Sequence, residues 1–279
     1  MPNTPTNRTA GVATSAAASG KVSASAANTD ADHAEARAQV PADVQAQLVM
    51  LHLTDSALPT GGFSHSYGLE TYLQRDIVTN PDTFITWLRS YLRQAAYNDG
   101  LIARFAAEVG RQVRSDELST DEAFDKLTEL DTLAHVSLVP RQVRDANSSM
   151  GTRMAKIGPV AVPGYAILDR YSQAVIDDEL HGCPALVHGL ALGLLGEDVE
   201  AAVRSYLMQL TVSLTQNGIR GIPIGQDAGQ RVLSTMYPVI NDTAGKIMTL
   251  TFVDLGMSSP GLEIAQIQHE THRSRMFMS

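Results

Sequence analysis

From residue 43 onward, apolar side chains recur at intervals of three and four residues, the spacing of one face of an α-helix. Val44, Leu48, Leu51 and His52 share such a face at the start of this region. The pattern predicts an all-α fold of about ten helices joined by short turns. The clearest single stripe comprises Phe84, Trp87, Leu88, Tyr91 and Leu92.

Residues that favour helix ends mark where several of these helices begin. Asn80 and Pro81 supply a cap and a first-turn proline, and Ser119 with Glu122 has the pattern of a capping box. Residues 247–255, IMTLTFVDL, fit a strand or a helix equally well. The remaining predicted helices begin at a proline, an aspartate or a glycine and run over about 140–156, 163–182, 184–196, 198–216 and 225–237.

Small residues repeat along one predicted helix. Ala185, Gly189 and Gly193 recur at every fourth position, so that a neighbouring helix can approach closely. His188 lies among leucines and valines, and we interpret it as a packed core histidine. Cys183 is interpreted as a small buried hydrophobic residue.

Composition limits the possible functions. The 279 residues are 44% hydrophobic and 18% charged, which suffices for a full globular core. A net charge of −9 argues against nucleic-acid binding, because phosphate-binding proteins usually carry a basic face. A single cysteine excludes a disulfide framework and favours a reducing, cytoplasmic compartment. No apolar run is long enough to predict a membrane span.

Residues 1–40 differ from the rest of the chain. They are rich in Ala, Ser, Thr and Asn and contain no aromatic residue or periodic apolar face. Such a segment cannot bury enough surface to offset its ordering entropy, so we predict a disordered extension. Residues 41–279 are predicted to form one helical domain without an internal linker or repeat.

Two segments resemble known catalytic motifs but do not match them fully. GGFSHS resembles the Gly-x-Ser-x-Gly nucleophile elbow, but Ser66 replaces the second glycine and a helix precedes the motif. HETH, residues 269–272, is one residue short of a His-Glu-x-x-His motif, and we interpret His269 and His272 as surface residues. A hydrolase using Ser64 and His65, or a metal-dependent enzyme, is therefore the weaker alternative. We predict no catalytic site and no cofactor.

Two segments combine glycines with polar side chains in a way that suits contact with another protein. In residues 58–70, LPTGGFSHSYGLE, Gly61 and Gly62 free the backbone for positive φ, and Ser64 or Ser66 can cap the following helix. Its Phe-Ser-His-Ser-Tyr string is expected to be exposed.

The second segment is residues 219–233, IRGIPIGQDAGQRVL. It ends one helix and begins another, with Gln226 and Gln230 on one face and Gly229 leaving room beside them. Such amides next to small residues suit contact with another protein's backbone, although an ordinary helix start explains them equally well.

Three segments together resemble the UreF family of urease accessory proteins. They are residues 57–70, residues 222–233 with their Pro-hydrophobic-Gly-Gln-x-x-Gly-Gln-Arg pattern, and the C-terminal tail HETHRSRMFMS, residues 269–279. Their order and spacing match over about 43–279. Met278 departs from the family pattern, in which an arginine commonly precedes the final serine.

The resemblance implies an all-α, dimeric accessory protein that has no catalytic activity of its own. It implies binding to UreD (also called UreH) and to the nickel-carrying GTPase UreG, for GTP-dependent delivery of nickel to apo-urease. The tail 269–279 is expected to become ordered on UreD, and nickel would meet only weak, transient ligands such as His65 and Glu70. A generic helical adaptor is the other alternative. Candidate partner or dimer contacts are Phe63, His65, Tyr67, Glu70, Arg220, Gln226, Gln230, Arg231, His269, Arg273 and Arg275.

Overall fold

A computed structural model describes residues 40–279; the predicted extension, apart from its last residue, lies outside the described residues. Within the described part the protein is all-α and has no β-strand, which confirms the predicted fold class. Single turns of 3₁₀-helix occur at Gly62–Ser64 and Phe252–Asp254. The helices are α1 (Ala42–Thr54), α2 (Leu69–Gln74), α3 (Pro81–Ala95), α4 (Asp99–Arg114), α5 (Thr120–Val136), α6 (Arg141–Ala161), α7 (Ala166–Ile176), α8 (Pro184–Leu194), α9 (Val199–Gly221), α10 (Gln226–Thr235), α11 (Tyr237–Thr249) and α12 (Pro260–His269).

Helix α8 is the centre of the core, and every one of its residues is buried. It packs against α4 at very short range. A β-carbon added to Gly189 would lie 2.1 Å from the backbone oxygen of Ala103, and one added to Gly193 would lie 2.2 Å from that of Ala107. The predicted close approach of a neighbouring helix is therefore confirmed, because only glycine allows this backbone separation.

Sequence signals located several helix ends correctly. The capping boxes at Asn80 and Ser119 are both formed. The helix predicted over 163–182 is shorter, since Gly164 and Gly182, near its two ends, both have positive φ. Of the segment 247–255, which fitted a strand or a helix, the first three residues end α11 and Phe252–Asp254 form a 3₁₀ turn.

Other features of the helices differ from the prediction. The helix predicted over 225–237 is α10, which ends before Met236, and α11 begins immediately after it. Helix α1 forms as predicted, but Leu48 and Leu51 on its apolar stripe are exposed, and Val49 and Leu53 are buried instead. The apolar spacing therefore identified this helix but not the face that packs.

His188 is fully buried in α8, which confirms its interpretation as a core histidine. Its Nε2 lies 2.8 Å from the hydroxyl of Ser205, and the ring of Tyr206 packs edge-on against it. Burial lowers the pKa of His188 from 6.5 to about 4, so the imidazole is neutral in the folded protein at pH 7. Cys183 is also buried, as predicted.

The low pKa of His188 makes folding stability depend on pH. Below pH 6.5 the unfolded chain binds a proton at this site, whereas the folded protein binds it only near pH 4, so stability is lost as the pH falls through this window. The full difference corresponds to roughly 3 kcal/mol. We expect urea unfolding between pH 7 and pH 4.5 to show a steeper loss for the wild type than for His188→Gln. Parallel pH profiles for the two proteins would contradict this assignment.

Candidate functional site

The segment 58–70 forms the tight connection between α1 and α2. Gly61 and Gly68 have φ values of 86° and 93°, and Tyr67 has the positive φ of 52°. The positive φ predicted for Gly61 and Gly62 is therefore found at Gly61, whereas Gly62 lies in a 3₁₀ turn. Gly68, not Ser64 or Ser66, occupies the cap position of α2. The hydroxyl of Ser66 still accepts a hydrogen bond from the backbone N–H of Glu70 at 3.4 Å.

The C-terminal tail lies along this connection and pairs with it through the backbone. The N–H of Met278 donates to the carbonyl oxygen of Ser64 at 2.8 Å, and the N–H of Ser66 donates to that of Ser279 at 2.6 Å. The hydroxyl of Ser66 also donates to the Ser279 oxygen, and Nδ1 of His65 lies 2.9 Å from the Ser279 hydroxyl. These bonds fix the register of the tail, so that Phe277 and Ser279 are buried.

Glu70 is the polar centre of the site. Its side-chain carboxylate accepts hydrogen bonds from the backbone N–H groups of Met276 at 2.6 Å and Phe277 at 3.1 Å. Its Oε2 also lies 2.8 Å from Nε2 of His269, whose Nδ1 is 2.8 Å from the side-chain oxygen of Gln142. Glu70 is only 5% exposed and His269 is fully buried. One buried carboxylate therefore joins α2, α12 and the tail, and His269 extends the connection to α6.

Arg220, near the end of α9, connects the second sequence segment to the same site. Its guanidinium donates to the backbone oxygen of Phe63 and to the side-chain oxygen of Asn217. The guanidinium carbon lies 5.8 Å from the ring centroid of Phe63 and 4.9 Å from that of Phe277. Asn217 is fully buried and donates to the carbonyl oxygen of His65 at 2.7 Å. Arg220 thus contacts both the segment 58–70, through Phe63, and the C-terminal tail, through Phe277.

The exposed part of this site is apolar, and we call it the composite surface. It consists of Phe63, Met276 and Met278, which are 58%, 59% and 67% exposed, together with the exposed Arg220. These exposed apolar side chains stand on two segments that pair through their backbones. Exposed apolar surface is typical of interaction sites, and methionine adapts its shape to a partner. Met278 is mostly exposed, so its side chain takes little part in the packing of the tail.

Burial corrects the sequence-based expectation for several candidates. His65 and Tyr67 are buried rather than exposed, and His269 is not a surface residue. The tail covers His65, and the hydroxyl of Tyr67 lies 3.4 Å from the sulfur of Met150. Burial also lowers the pKa of His65. Partner contact by these residues stays a prediction, and for His65 it would require the tail to move.

The remaining tail candidates border an open groove of 780 Å³ beside Glu70. Arg273 and Arg275 are exposed there, and His272 is half-buried. Burial, followed by the neighbouring His269, lowers the pKa of His272. The two arginines are therefore accessible to a partner, and their role in binding stays a prediction.

The three polar candidates of the second segment lie on α10. Gln226, Gln230 and Arg231 are all exposed. A β-carbon added to Gly229 would lie 2.3 Å from Cδ1 of Ile219, so this glycine lets α10 pack against α9. The prediction that Gly229 leaves open space beside the two glutamines is therefore wrong, because the side chain of Ile219 occupies that space.

The described residues build no metal site, and they place no histidine nitrogen in hydrogen-bond contact with the hydroxyl of Ser64. Within residues 40–279 no group of three or more His, Cys, Asp or Glu side chains is placed to hold a metal ion. Nδ1 of His65 faces Ser279, which gives no support to a nucleophilic Ser64. Among the helices in the described part of the chain, none is both long and apolar enough to cross a membrane.

Comparison with known proteins gives consistent matches over most of the chain. The family model UreF matches residues 78–237. A protein of Paenarthrobacter aurescens (strain TC1), named urease accessory protein UreF, is 40% identical over 234 residues, which are 84% of this chain and 98% of that protein. The protein of the same name from Corynebacterium glutamicum (strain R) is 39% identical over 240 residues, 85% of this chain and 100% of its own length.

Proposed function

The chain belongs to the UreF family of urease accessory proteins, and from this premise we propose that it is a non-catalytic scaffold for inserting nickel into urease. In this proposal it binds UreD (UreH) and the GTPase UreG, and the assembly delivers nickel to apo-urease in a GTP-dependent step. The observation that carries the proposal is the match to two urease accessory proteins over nearly their whole lengths.

The composite surface supports a scaffold role. It presents an aromatic ring, two methionines and an arginine, which are the residue types enriched in protein–protein interfaces. We assign the partner contact to Phe63, Met276 and Met278, because they are exposed apolar side chains. The candidates His65, Tyr67, Glu70 and His269 are buried. The exposed Gln226, Gln230 and Arg231 remain candidates for UreG or for the seam of a homodimer.

We call the C-terminal tail docked when its residues 276–279 are hydrogen-bonded to the segment 58–70, as in this structure. The docked tail couples partner binding to the fold of this chain. The same hydrogen bonds that bury Phe277 and Ser279 hold Met276 and Met278 at the surface. A partner that binds both methionines therefore favours the docked tail, and the docked tail favours the partner. The expected ordering of residues 269–279 on UreD agrees with this coupling and stays a prediction.

Nickel is treated as cargo that the partners hold. Tight nickel binding calls for several converging imidazoles or thiolates. The carboxylate of Glu70 already serves three donors, so a metal ion would have to displace them. Transient contact of nickel with His65 or Glu70 would require prior movement of the tail.

The nickel content of urease tests this function. Urease is co-expressed with its other maturation proteins and with either the wild-type chain or Phe63→Asp/Met278→Asp, and nickel per urease is measured by mass spectrometry. Because each lost interface anchor costs about 1–2 kcal/mol, we expect the double variant to reduce nickel loading at least about tenfold. Val160→Asp, at a residue 63% exposed on α6, is the matched control and should load normally. Equal loading with all three proteins would refute the assignment.

A further inference from the structure

A groove between α3 and α11 carries an excess of positive charge. Its volume is 520 Å³, and it is bordered by Arg89 and Arg93 on α3 and by Lys246 on α11. Asp242, one turn before Lys246, is the only acidic side chain that lines it. Three cations thus face one carboxylate, in a protein whose overall charge is −9.

The protein neutralises these cations only in part. Hydrogen bonds from Thr251 and then the charge of Lys246 lower the pKa of Asp254, so this carboxylate lies near Lys246. The salt bridges within residues 40–279 use four other arginines and His269, and none includes Arg89, Arg93 or Lys246. Their side chains also donate no hydrogen bond to another described residue. Cations left without a salt-bridge partner in this way attract negatively charged groups.

The shape of the groove favours a chain segment over a single anion. Arg89 and Arg93 are four residues apart on one helix face, and Lys246 stands on the opposite helix, so the charges follow two rims. Between the rims the groove is lined by the buried Ala96 and Thr243 and by the half-buried Val239. Charged rims around a largely apolar floor fit a peptide that carries both acidic and apolar side chains.

We propose that this groove binds an acidic segment of a partner protein. Carboxylates of the segment pair with Arg89, Arg93 and Lys246, and its apolar side chains lie on the floor of the groove. Guanidinium groups suit this role because they bind carboxylates through two parallel hydrogen bonds. The groove shares no residue with the composite surface, so it gives the scaffold a second, electrostatically guided contact.

Fluorescence anisotropy of the full chain with a labelled eight-residue peptide of glutamates and leucines tests the proposal. We expect saturable binding at low salt that weakens as salt is added. The variant Arg89→Gln/Arg93→Gln/Lys246→Gln should bind at least about tenfold more weakly, as three paired charges are lost. The matched control is Arg111→Gln/Lys126→Gln/Lys156→Gln, which removes three exposed cations elsewhere and should bind like the wild type.

A variant that is expected to strengthen peptide binding distinguishes a lost charge from a lost fold. Asp242→Asn removes the one carboxylate of the groove and should tighten peptide binding a few-fold, which unfolding cannot do. Absence of saturable binding at low salt, or equal weakening by both triple variants, would overturn the proposal. Full displacement of the peptide by a few millimolar inorganic phosphate would also overturn it, since the groove would then be a small-anion site.

Discussion

The variant Glu70→Ala should lose roughly 3 kcal/mol or more of unfolding free energy, because three groups lose their buried acceptor and each such loss costs about 1–3 kcal/mol. The substitution leaves His269 buried without its acidic partner. It also leaves the N–H groups of Met276 and Phe277 without an acceptor. The tail should therefore detach from the segment 58–70.

Two measurements separate loss of the tail from loss of the fold. Urea unfolding gives the free energy, and hydrogen exchange at the amides of residues 276–279 reports whether the tail is docked. Glu270→Ala is the matched control, because Glu270 forms an exposed pair with Arg141 at 3.3 Å and its loss should cost less than about 1 kcal/mol. Glu70→Gln keeps an acceptor and should fall between the two. Unchanged exchange at the tail of Glu70→Ala would contradict the role assigned to this carboxylate.

The second large effect is expected for Gly189→Ala, which should cost about 3 kcal/mol or more of unfolding free energy. The added β-carbon would meet the backbone oxygen of Ala103 at 2.1 Å, and a backbone atom cannot rotate away. Helices α4 and α8 would have to separate, which opens the core along their contact. Chemical denaturation measures the cost directly.

Gly245→Ala is the matched control for this prediction. Gly245 also lies within a helix, α11, but a β-carbon there meets no atom within 4 Å. The alanine should raise stability by roughly 0.5–1 kcal/mol through its better helix propensity. If Gly189→Ala and Gly245→Ala unfold at the same urea concentration, the close contact of α4 and α8 is not a source of stability.

Local sequence signals were sufficient for much of the fold. Asn80 and Ser119 predicted helix starts because a cap acts within four residues of itself. Gly189 and Gly193 predicted a close helix contact because their spacing matches one helical face. The pattern does not predict α4, α11 or α12 individually, although all three are present in the structure.

The candidate site could be predicted only in part, because its contacts join distant parts of the chain. Glu70 and His269 are 199 positions apart, and His65 and Ser279 are 214 positions apart. Periodicity and capping carry no information about such pairs, so the string around His65 looked exposed. The family resemblance drew attention to these segments, but it did not reveal that the tail covers the first of them.

The central claim is that the docked tail completes a surface by which this chain holds the other urease maturation proteins. Affinity purification of the tagged chain from cells that make urease, UreD and UreG tests it most directly. We predict that UreD and UreG are retained by the wild type and by Val160→Asp and are lost with Phe63→Asp/Met278→Asp. Full retention of both proteins by the double variant would contradict the claim.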